Sequence, residues 1–302
     1  RYKLLKKGIH FKSNSDSEVL LKLFEIEGKK CLDTIDGMFS FVIVDRLKNE
    51  IFLARDRFGI KPLYYYRTNN TFFVSSEIKA FIPFSLSDSS WSFNEAFLSE
   101  YMNYRDLSGE NTFIKNVKKV LPSHYITIDK NFNFKCKKYY NLSCNLKKSN
   151  NLSLNDNIDY LEELLIKNIK SHLISDVPVG LTLSGGLDSS LLTALVKKHT
   201  NTELTTYSIV FNEKISQGNI IDESDFIKIV NDLYKGKKNL INLNSKIFSE
   251  IWDKLIWHNE DPLSIPNSAG IFLLSQKASK KHKVIIGGDG ADEIFAGYNT
   301  FL

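Results

Sequence analysis

The chain has 302 residues, of which 42% are hydrophobic and 25% are charged, and its formal net charge at pH 7 is +5. This composition is typical of a folded globular protein of one or two domains and excludes an intrinsically disordered chain. The lysines occur singly or in short pairs, so the charge favours no nucleic-acid partner, and no apolar run approaches the roughly 18 residues of a membrane span.

The first half of the sequence contains short runs rich in Phe, Tyr, Ile and Val, separated by Asp, Asn, Gly and Pro. Such runs are typical of antiparallel strands. The first predicted element is a helix over 16–24, with Ser15 as its N-cap. Predicted strands follow at 38–45, 50–56, 62–68 and 71–77 and within 125–140. The pattern indicates an α+β domain over residues 1–145.

A polar stretch rich in Asn and Ser, residues 146–157, is the predicted linker. Residues 158–302 then alternate between helical and strand patterns. Helices are predicted at 158–174, 189–198, 223–234, 246–258 and 268–280, and strands at 177–183, 204–211, 238–243 and 283–287. Strands separated by helices of about ten residues predict parallel βαβ units with right-handed crossovers, and therefore an α/β domain.

The loop SGGLDSS, residues 184–190, joins a predicted strand to a predicted helix. In a parallel sheet, ligands bind at the carboxyl ends of strands and against helix N-termini. The loop offers two glycines and three hydroxyls, from Gly185, Gly186, Ser184, Ser189 and Ser190. Asp188 would repel a bare phosphate but suits a Mg²⁺ ion that bridges carboxylate and phosphate. The alternative is that these residue types form the N-cap of an ordinary helix.

A second glycine turn, in VIIGGDGADEIFAGY at 284–298, again follows a predicted strand and precedes a helix. Three carboxylates crowd the start of this helix, from Asp289, Asp292 and Glu293, beside Gly287, Gly288 and Gly290. Acidic residues at a helix N-terminus are individually favourable, which is the structural alternative. Three of them within five residues favour a metal or proton-transfer role. A magnesium-bound nucleotide between the two loops would satisfy both.

The loop SGGLDSS resembles the pyrophosphate loop of the N-type ATP pyrophosphatases. Together with GGDGADEIFAGY, it makes the chain resemble the glutamine-dependent asparagine synthetase family. The first half resembles consecutive segments of that family's glutaminase domain, in SNSDSEVLL, DGMFSFVIVD, RDRFGIKPLYYY, SSEIKAFI and VLPSHYITID. The resemblance implies an α+β N-terminal-nucleophile glutaminase domain over 1–145. It implies an α/β parallel-sheet ATP pyrophosphatase domain, of the adenine nucleotide alpha hydrolase-like type, over 158–302.

The resemblance also implies roles for individual residues. ATP-binding positions would be Thr182, Leu183, Ser184, Gly185, Gly186, Asp188, Ser189, Ser190, Ile209, Gly287 and Gly288. Asp188 and Asp292 would be Mg²⁺ ligands, and Asp289 would accept a proton from incoming ammonia. Asp16 would bind the α-amino group of glutamine. Val210 departs from the family, which usually has glycine at that position.

The activity implied by the resemblance is an ATP-dependent ligase that makes asparagine from aspartate through a β-aspartyl-AMP intermediate, with ammonia from glutamine. The same chemistry on another carboxylate, such as a sugar acid or a β-lactam precursor, stays open, and so does a homodimer. A tRNA-modifying pyrophosphatase shares the phosphate loop but does not explain the first half. A non-catalytic relative of the fold is disfavoured by the intact carboxylates.

Three cysteines, Cys31, Cys136 and Cys144, have neither CxxC spacing nor adjacent histidine pairs. This argues against a disulfide scaffold and a zinc site, and favours a reducing, cytoplasmic compartment. The family's nucleophile is an N-terminal cysteine, whereas position 1 is Arg, and we interpret Cys31 as a buried structural thiol. The family's Asn-Gly-Glu segment and catalytic lysine are absent too. We therefore interpret the sequence as a fragment and predict that it hydrolyses no glutamine by itself.

Overall fold

The computed structural model describes residues 1–68, 71–85, 91–145, 152–211, 223–263 and 267–298. The chain divides into two compact units, residues 1–148 and 149–302. The division lies inside the stretch 146–157 that the sequence suggests as a linker. Within the described ranges, no helix is both long enough and apolar enough to cross a membrane.

The first unit contains five helices and seven strands among its described residues, along with short 3₁₀ turns. The helices are α1 (Tyr2–Lys6), α2 (Asp16–Glu27), α3 (Cys31–Thr34), α4 (Ile82–Ser85) and α5 (Leu98–Tyr104). The strands are β1 (Ser40–Asp45), β2 (Glu50–Arg55), β3 (Tyr64–Arg67), β4 (Phe72–Ser75), β5 (Val117–Lys119), β6 (His124–Ile128) and β7 (Phe134–Lys138).

These strands form two antiparallel sheets, in the orders β1-β2-β6-β7 and β4-β3-β5. The faces of the two sheets meet in a core that includes Leu53, Tyr65 and Ile126. On its other face the first sheet packs Phe52 against Leu32 of α3. Because side chains alternate across a strand, Leu53 and Phe52 serve opposite faces of the same sheet.

The predicted helix and strands of the first half are confirmed, and α2 begins after Ser15, whose hydroxyl accepts the Ser17 N–H. The run 125–140 is a hairpin of two strands, β6 and β7, because the Asp129 carboxylate accepts the N–H groups of Asn131 and Asn133 and so forms a turn. Strand β5 was not predicted, since three residues with a single apolar side chain give no alternation.

The second unit alternates helices and strands in its described residues, except that two helices follow one another before the last strand. The helices are α6 (Leu154–His172), α7 (Leu187–His199), α8 (Ser224–Tyr234), α9 (Ser245–Asn259), α10 (Asn267–Ala278) and α11 (Ala291–Phe295). The strands are β8 (Val179–Thr182), β9 (Thr205–Phe211), β10 (Lys237–Leu243) and β11 (Val284–Ile286).

The four strands form one parallel sheet in the order β10-β9-β8-β11, as the alternation predicts. One face packs against α6 and α7 in a cluster that includes Ile169, Leu181 and Val196. The other face packs against α10, where Tyr207 contacts Leu274. The sheet is therefore buried between two helical layers, as parallel sheets usually are.

Helix α6 begins four residues before the predicted start at residue 158, within the stretch that the sequence suggests as a linker. Ser153 and Asp156 form a capping box: the Ser153 hydroxyl accepts the Asp156 N–H, and the Asp156 carboxylate accepts the Ser153 N–H. Because this reciprocal pair satisfies two N–H groups that would otherwise lack partners, residues 154–157, three of which are polar, extend the helix.

Candidate active site

The two predicted loops lie next to each other because of the strand order. From β8 the chain adds β9 and then β10 on one side, and it then returns to place β11 on the other side of β8. In open α/β sheets, the carboxyl ends of the two strands at such a reversal leave a crevice that binds ligands. The loops at 184–190 and 287–290 follow β8 and β11, so both reach this crevice.

The residues of the loop after β8 hold one another in place. Gly185 has φ +93° and makes the turn. The Ser184 hydroxyl accepts the Gly186 N–H at 3.2 Å, and the Ser189 hydroxyl accepts the Ser184 N–H at 3.2 Å. Ser189 also lies 3.2 Å from the carbonyl of Gly186, to which it donates. Its hydroxyl, which is buried, therefore fastens both ends of the turn.

The N-terminus of α7 is not capped by a serine side chain. Its N-cap residue is Gly186, which has no side chain to offer. The serine hydroxyls bond within the loop, as described above, so the interpretation of this segment as an ordinary serine N-cap does not hold. The first N–H groups of a helix have no partner inside the helix, and those of Leu187 and Asp188 begin α7 at the crevice.

The start of α8 also abuts this turn. A Cβ atom on Gly185 would lie 3.0 Å from the carbonyl oxygen of Glu223 and 3.1 Å from Cβ of Phe226. The Glu223 carboxylate lies at the edge of the same turn, 4.0 Å from where a Cβ on Gly186 would be. A side chain at Gly185 would thus be blocked as well as strained, since φ +93° favours glycine.

The loop after β11 packs directly on the loop after β8. A Cβ atom on Gly288 would lie 3.0 Å from the backbone nitrogen of Ser189 and 3.1 Å from Cβ of Asp188. Only a residue without a side chain allows this approach, because contacts of about 3 Å to backbone are closer than van der Waals distances for carbon. The two segments, separated by roughly a hundred residues, form one site.

Three carboxylates converge at this contact. Partial burial raises the pKa of Asp188, and the nearby carboxylates of Asp292 and Glu293 raise it further. Like charges held together are unfavourable without a cation, and carboxylate oxygens are the ligands that Mg²⁺ prefers. The chemistry of these donors therefore fits a magnesium ion. Among the described residues, no group of three or more side chains is itself arranged as a metal site.

Asp289 lies on the strand side of the same turn. Its carboxylate folds back against the α-carbon of Gly287, and a Cβ on Gly287 would also lie 2.7 Å from the hydroxyl oxygen of Thr182. Thr182 ends β8, so Asp289 and Thr182 face each other across the glycine. The Asp289 side chain remains exposed to solvent, which leaves it accessible to a substrate.

The short helix α11 is closed by two contacts that the sequence did not predict. The Tyr298 hydroxyl donates to the Glu293 carboxylate at 2.7 Å, and this hydrogen bond lowers the pKa of Glu293. The Asp292 carboxylate lies against Gly297, whose N–H bonds to the Asp292 carbonyl. Glu293 and Asp292 are thereby held by the segment that follows the helix.

The remaining predicted nucleotide positions lie around the crevice in different degrees of burial. Leu183 is buried, and its N–H donates to the Tyr207 carbonyl, so its side chain belongs to the core. Ile209 lies in β9 beyond Tyr207, where the register with β8 ends. The hydroxyl oxygen of Ser190 is buried and has no hydrogen-bond partner in the described structure.

In the first unit, Asp16 is the first residue of α2 and is exposed. The segment before it is fixed by Glu18, whose carboxylate accepts the Lys12 N–H at 2.8 Å and the Ser13 N–H at 2.7 Å. The Ser13 hydroxyl donates to the same carboxylate at 2.6 Å. These bonds, with that of the Lys12 N–H largest, lower the pKa of Glu18 to about 2. The sequence signalled Asp16 but not Glu18.

Cys31 is buried in α3, and burial raises the pKa of its thiol to about 11, with smaller contributions from the charges of Glu27 and Asp33. The predicted burial of the Cys31 thiol is confirmed, and because a thiol is a nucleophile only as the thiolate, the raised pKa disfavours a nucleophilic role. Cys136 lies on β7, and burial raises its pKa as well. The side chain of Cys144 lies outside the described residues.

Comparisons with known proteins agree with both halves. A family model for a glutamine amidotransferase domain matches residues 1–140, and one for asparagine synthase matches residues 160–302. The chain is 32% identical to putative asparagine synthetase [glutamine-hydrolyzing] 2 of Methanocaldococcus jannaschii, over 98% of this chain and 56% of the relative.

Two further relatives match the whole chain. Asparagine synthetase [glutamine-hydrolyzing] 1 of Bacillus subtilis is 28% identical, with 46% of its length covered. Amidase chry2 of Gibberella zeae is 29% identical, also with 46% covered. The chain thus spans about half the length of the curated relatives it matches. With both domain models matched in order, the chain carries a glutamine amidotransferase domain followed by an asparagine synthase domain.

Proposed function

We propose that this chain carries the nucleotide site of an ATP-dependent ligase that converts aspartate to asparagine, with ammonia taken from glutamine. The observation that supports it most directly is the contact between the two glycine loops at the strand reversal, where Gly288 packs on Asp188 and Ser189. The matched domain models support the class of reaction, and the geometry supports a binding site for a nucleoside triphosphate.

The β- and γ-phosphates of ATP would lie on the N-terminus of α7. The N–H groups of the first turn and the positive end of the helix dipole favour an anion there. The hydroxyl of Ser184 is exposed at the loop and could donate to a phosphate oxygen. The adenosine would extend toward Thr182, Ile209 and Gly287, and the buried Leu183 would line that side through its backbone.

The residues that would hold Mg²⁺ are Asp188 and Asp292. When bound, the ion neutralises charge on the departing pyrophosphate. The chain's own residues then have two tasks. The loop amides stabilise the pyrophosphate oxygens, and the carboxylates of Asp188 and Asp292 provide the oxygen ligands for the cation.

The reaction needs two displacements because a carboxylate is a poor electrophile. An oxygen of the substrate carboxylate attacks the α-phosphorus of ATP, and pyrophosphate leaves to give an acyl-adenylate. The nitrogen of ammonia then attacks the acyl carbon, and AMP leaves with the oxygen that bound the phosphorus. The nitrogen loses a proton in this step, and Asp289, exposed beside Thr182, is the acceptor that we propose.

For the first unit we propose the N-terminal-nucleophile glutaminase architecture, with Asp16 as the ligand of the glutamine α-amino group. Two antiparallel sheets packed face to face, with helical segments on an outer face, support this assignment. The exposed carboxylate at the start of α2 and its fixed approach segment support the role of Asp16.

The test is ATP–pyrophosphate exchange in the purified protein. We expect exchange that requires both Mg²⁺ and aspartate, because adenylate formation precedes ammonia. Exchange driven by another carboxylic acid but not by aspartate would support the same adenylate-forming reaction with a different substrate. Such acids are worth testing because one relative is named an amidase. If the protein binds ATP but none of the carboxylic acids tested supports pyrophosphate exchange, the ligase assignment is rejected.

A further inference from the structure

Thr182, the last residue of β8, lies beside Gly287, which follows the last residue of β11. The two strands pair in parallel with Leu181 opposite Ile286, and the same register continued by one residue brings Thr182 to Gly287. Leu181 and Ile286 pack in the core beneath α6 and α7. Because side chains alternate across a strand, Thr182 and Gly287 face the opposite side of the sheet.

Two side-chain oxygens point at the α-carbon of Gly287. A Cβ atom there would lie 2.7 Å from the hydroxyl oxygen of Thr182, and it would lie closer still to a carboxylate oxygen of Asp289. One oxygen comes from the end of β8 and the other from the loop after β11. The strand pairing therefore brings a hydroxyl and a carboxylate to the two sides of one point, which glycine leaves open.

The protein itself uses neither oxygen. Within the described part of the chain, the Thr182 hydroxyl and the Asp289 carboxylate make no hydrogen bond and no ion pair. The nearby hydroxyls of Ser184 and Ser189, in contrast, bond to each other at 3.0 Å. Thr182 is partly buried and Asp289 is exposed. Polar groups that the fold leaves unmatched at a crevice are available to a ligand.

Ammonia has the chemistry that suits this pair of oxygens. Its nitrogen carries three N–H groups and one lone pair. A single acceptor would leave the nitrogen free to rotate, whereas two acceptors on different sides fix its orientation. Two N–H groups can then be held by oxygen while the lone pair stays free to attack, and such orientation lowers the barrier to a displacement.

We propose that Thr182 and Asp289 together bind the incoming ammonia, an inference that rests on the function proposed above. The Thr182 hydroxyl oxygen accepts one N–H, and the Asp289 carboxylate accepts another. The nitrogen forms a bond to the acyl carbon, and the bond from that carbon to the AMP oxygen breaks. The N–H proton held by Asp289 passes to its carboxylate. Thr182 keeps its own proton and serves to orient the nitrogen.

The first experiment measures how each acyl-adenylate is divided between ammonia and water. The full-length protein receives aspartate, ATP and ammonium chloride without glutamine, and asparagine and AMP are both quantified. Thr182→Val keeps the shape of the side chain and removes the hydroxyl. We expect kcat/KM for ammonia to fall about tenfold, because one hydrogen bond to the nucleophile is lost. Asparagine formed per AMP should fall with it, since water remains in constant excess.

The ratio of asparagine to AMP separates this role from other effects of the substitution. Thr182 also borders the position proposed for the adenosine, so the variant could bind ATP less tightly. Weaker ATP binding slows the formation of AMP, but it does not change the fate of an adenylate that has formed. A lower ratio therefore reports on the nitrogen and not on the nucleotide.

Two further variants serve as controls. Thr182→Ser keeps the hydroxyl and should restore the ratio to within about twofold of the unaltered protein. Thr202→Val makes the same change at a partly buried threonine of the same unit, in the loop between α7 and β9. This loop precedes β9 and so lies at the opposite end of the strands from the crevice, and the ratio should not change. Circular dichroism checks that the variants fold.

The second experiment is a double-mutant cycle between the two oxygens. Asp289→Ala alone should lower kcat/KM for ammonia, because the carboxylate that holds the nitrogen and takes its proton is lost. In that background, Thr182→Val should lower it by less than about twofold further, since the nitrogen is no longer held at this point. Groups that act independently would instead give effects that multiply.

Three results would overturn the proposal. One is a Thr182→Val protein that forms as much asparagine per AMP as the unaltered protein. Another is a folded Thr182→Ser protein in which the ratio stays low, so that the hydroxyl is not the group that acts. The third is a pair of independent effects in the cycle. If the unaltered protein shows no aspartate-dependent pyrophosphate exchange, the proposed function fails and this inference fails with it.

Discussion

Two carboxylate-centred turns, one in each unit, differ in what their polar groups contact. In the first unit, Asp56 is 1% exposed, and its carboxylate accepts the N–H groups of Phe58, Ile60 and Lys61 at 2.9 to 3.1 Å. In the second unit, partial burial raises the pKa of Asp188, and the nearby carboxylates of Asp292 and Glu293 raise it further. The turn at Asp56 surrounds its carboxylate with backbone N–H donors, whereas the turn at Asp188 places its carboxylate near two others.

The turn at Asp56 is also held from the outside. Arg55 donates to the carbonyls of Gly59, Lys61 and Val120 at 2.7 to 2.8 Å, so donors and acceptors of that turn are matched within the chain. The site at Asp188 keeps helix N–H groups and carboxylates facing a common crevice. A turn that satisfies its own polar groups is structural, whereas one that leaves them facing a crevice is suited to a ligand.

The largest expected effect is on nucleotide chemistry. Asp188→Asn should reduce ATP–pyrophosphate exchange by more than about a hundredfold, because a ligand of the proposed Mg²⁺ is lost. Burial and the neighbouring carboxylates raise the pKa of Asp188, so its charge is unfavourable in the ligand-free protein. The stability cost of that charge appears as pH rises above the ordinary value of 3.8. At neutral pH the variant should melt no lower than the unaltered protein; a marked drop in Tm would contradict this.

Asp56→Asn should give the opposite result. In the variant, the amide N–H groups would face backbone N–H groups that bond to the carboxylate in the unaltered protein. We expect this to lower the free energy of unfolding by about 2 to 4 kcal/mol. Urea denaturation followed by circular dichroism measures this. Aspartate-dependent exchange per folded molecule should change little, and Asp36→Asn, at an exposed carboxylate of the same unit, is the matched control. Unchanged stability in Asp56→Asn would remove the basis of the comparison.

Gly288→Ala tests the contact between the two loops. A Cβ here would lie 3.0 to 3.2 Å from the backbone of Asp188 and Ser189, so the loops must separate by a few tenths of an ångström. We expect KM for ATP to rise by about tenfold with a smaller change in stability, because overpacking is local. Gly290→Ala is the comparison variant: its added Cβ meets nothing within 4 Å, and its φ of +94° makes backbone strain its only effect. Equal kinetics in both variants would argue against the contact.

Glu18→Gln tests whether the segment before Asp16 is held for function. The bonds to Lys12 and Ser13 lower the pKa of Glu18 to about 2, so its contribution is present above about 4.5 and is lost as pH falls toward about 2. In the full-length protein we expect KM for glutamine to rise several-fold and kcat to change little. A fall in kcat at constant KM would assign Glu18 another role. Glu25→Gln, on the same helix, is the control.

The smallest effects concern two non-glycine residues with positive φ. Ala296 has φ +56° and Ser123 has φ +65°. Ala296→Gly should raise the free energy of unfolding by about 0.5 kcal/mol, since only strain is removed. Ser123→Gly should lower it by about 1 kcal/mol, because the Ser123 hydroxyl donates to the Arg57 carbonyl at 2.7 Å. Thermal unfolding of both variants measures the sign, and equal signs would contradict the distinction.

Local pattern was enough to predict most of the helices and strands. The side chains of β2 alternate between two cores, and the apolar residues of α7 have helical spacing after a glycine turn. Both patterns can be seen within a short stretch of sequence. The two glycine loops were found for the same reason, because a strand, a turn and a helix follow one another in the sequence. Their adjacency followed from the expected parallel sheet.

What sequence did not reveal depends on contacts between distant segments. The approach of Glu223 to Gly185 and of Tyr298 to Glu293 has no local period, and the internal bonds of Ser189 depend on the shape of the turn. Glu18 was passed over because an acidic residue in the first turn of a helix is ordinary. Strand β5 was missed because its register with β3, and not its composition, makes it a strand.

The pairing of β11 with β8 has a consequence for how the protein folds. Strands β8, β9 and β10 are joined by successive crossovers and depend on contacts of modest sequence separation, whereas β11 must close a loop of about a hundred residues to reach β8. Long-range pairings of this kind form late and slowly. During synthesis, the first three strands can associate before β11 has left the ribosome. If ATP binds at the proposed site, it would stabilise only chains in which β11 has paired with β8.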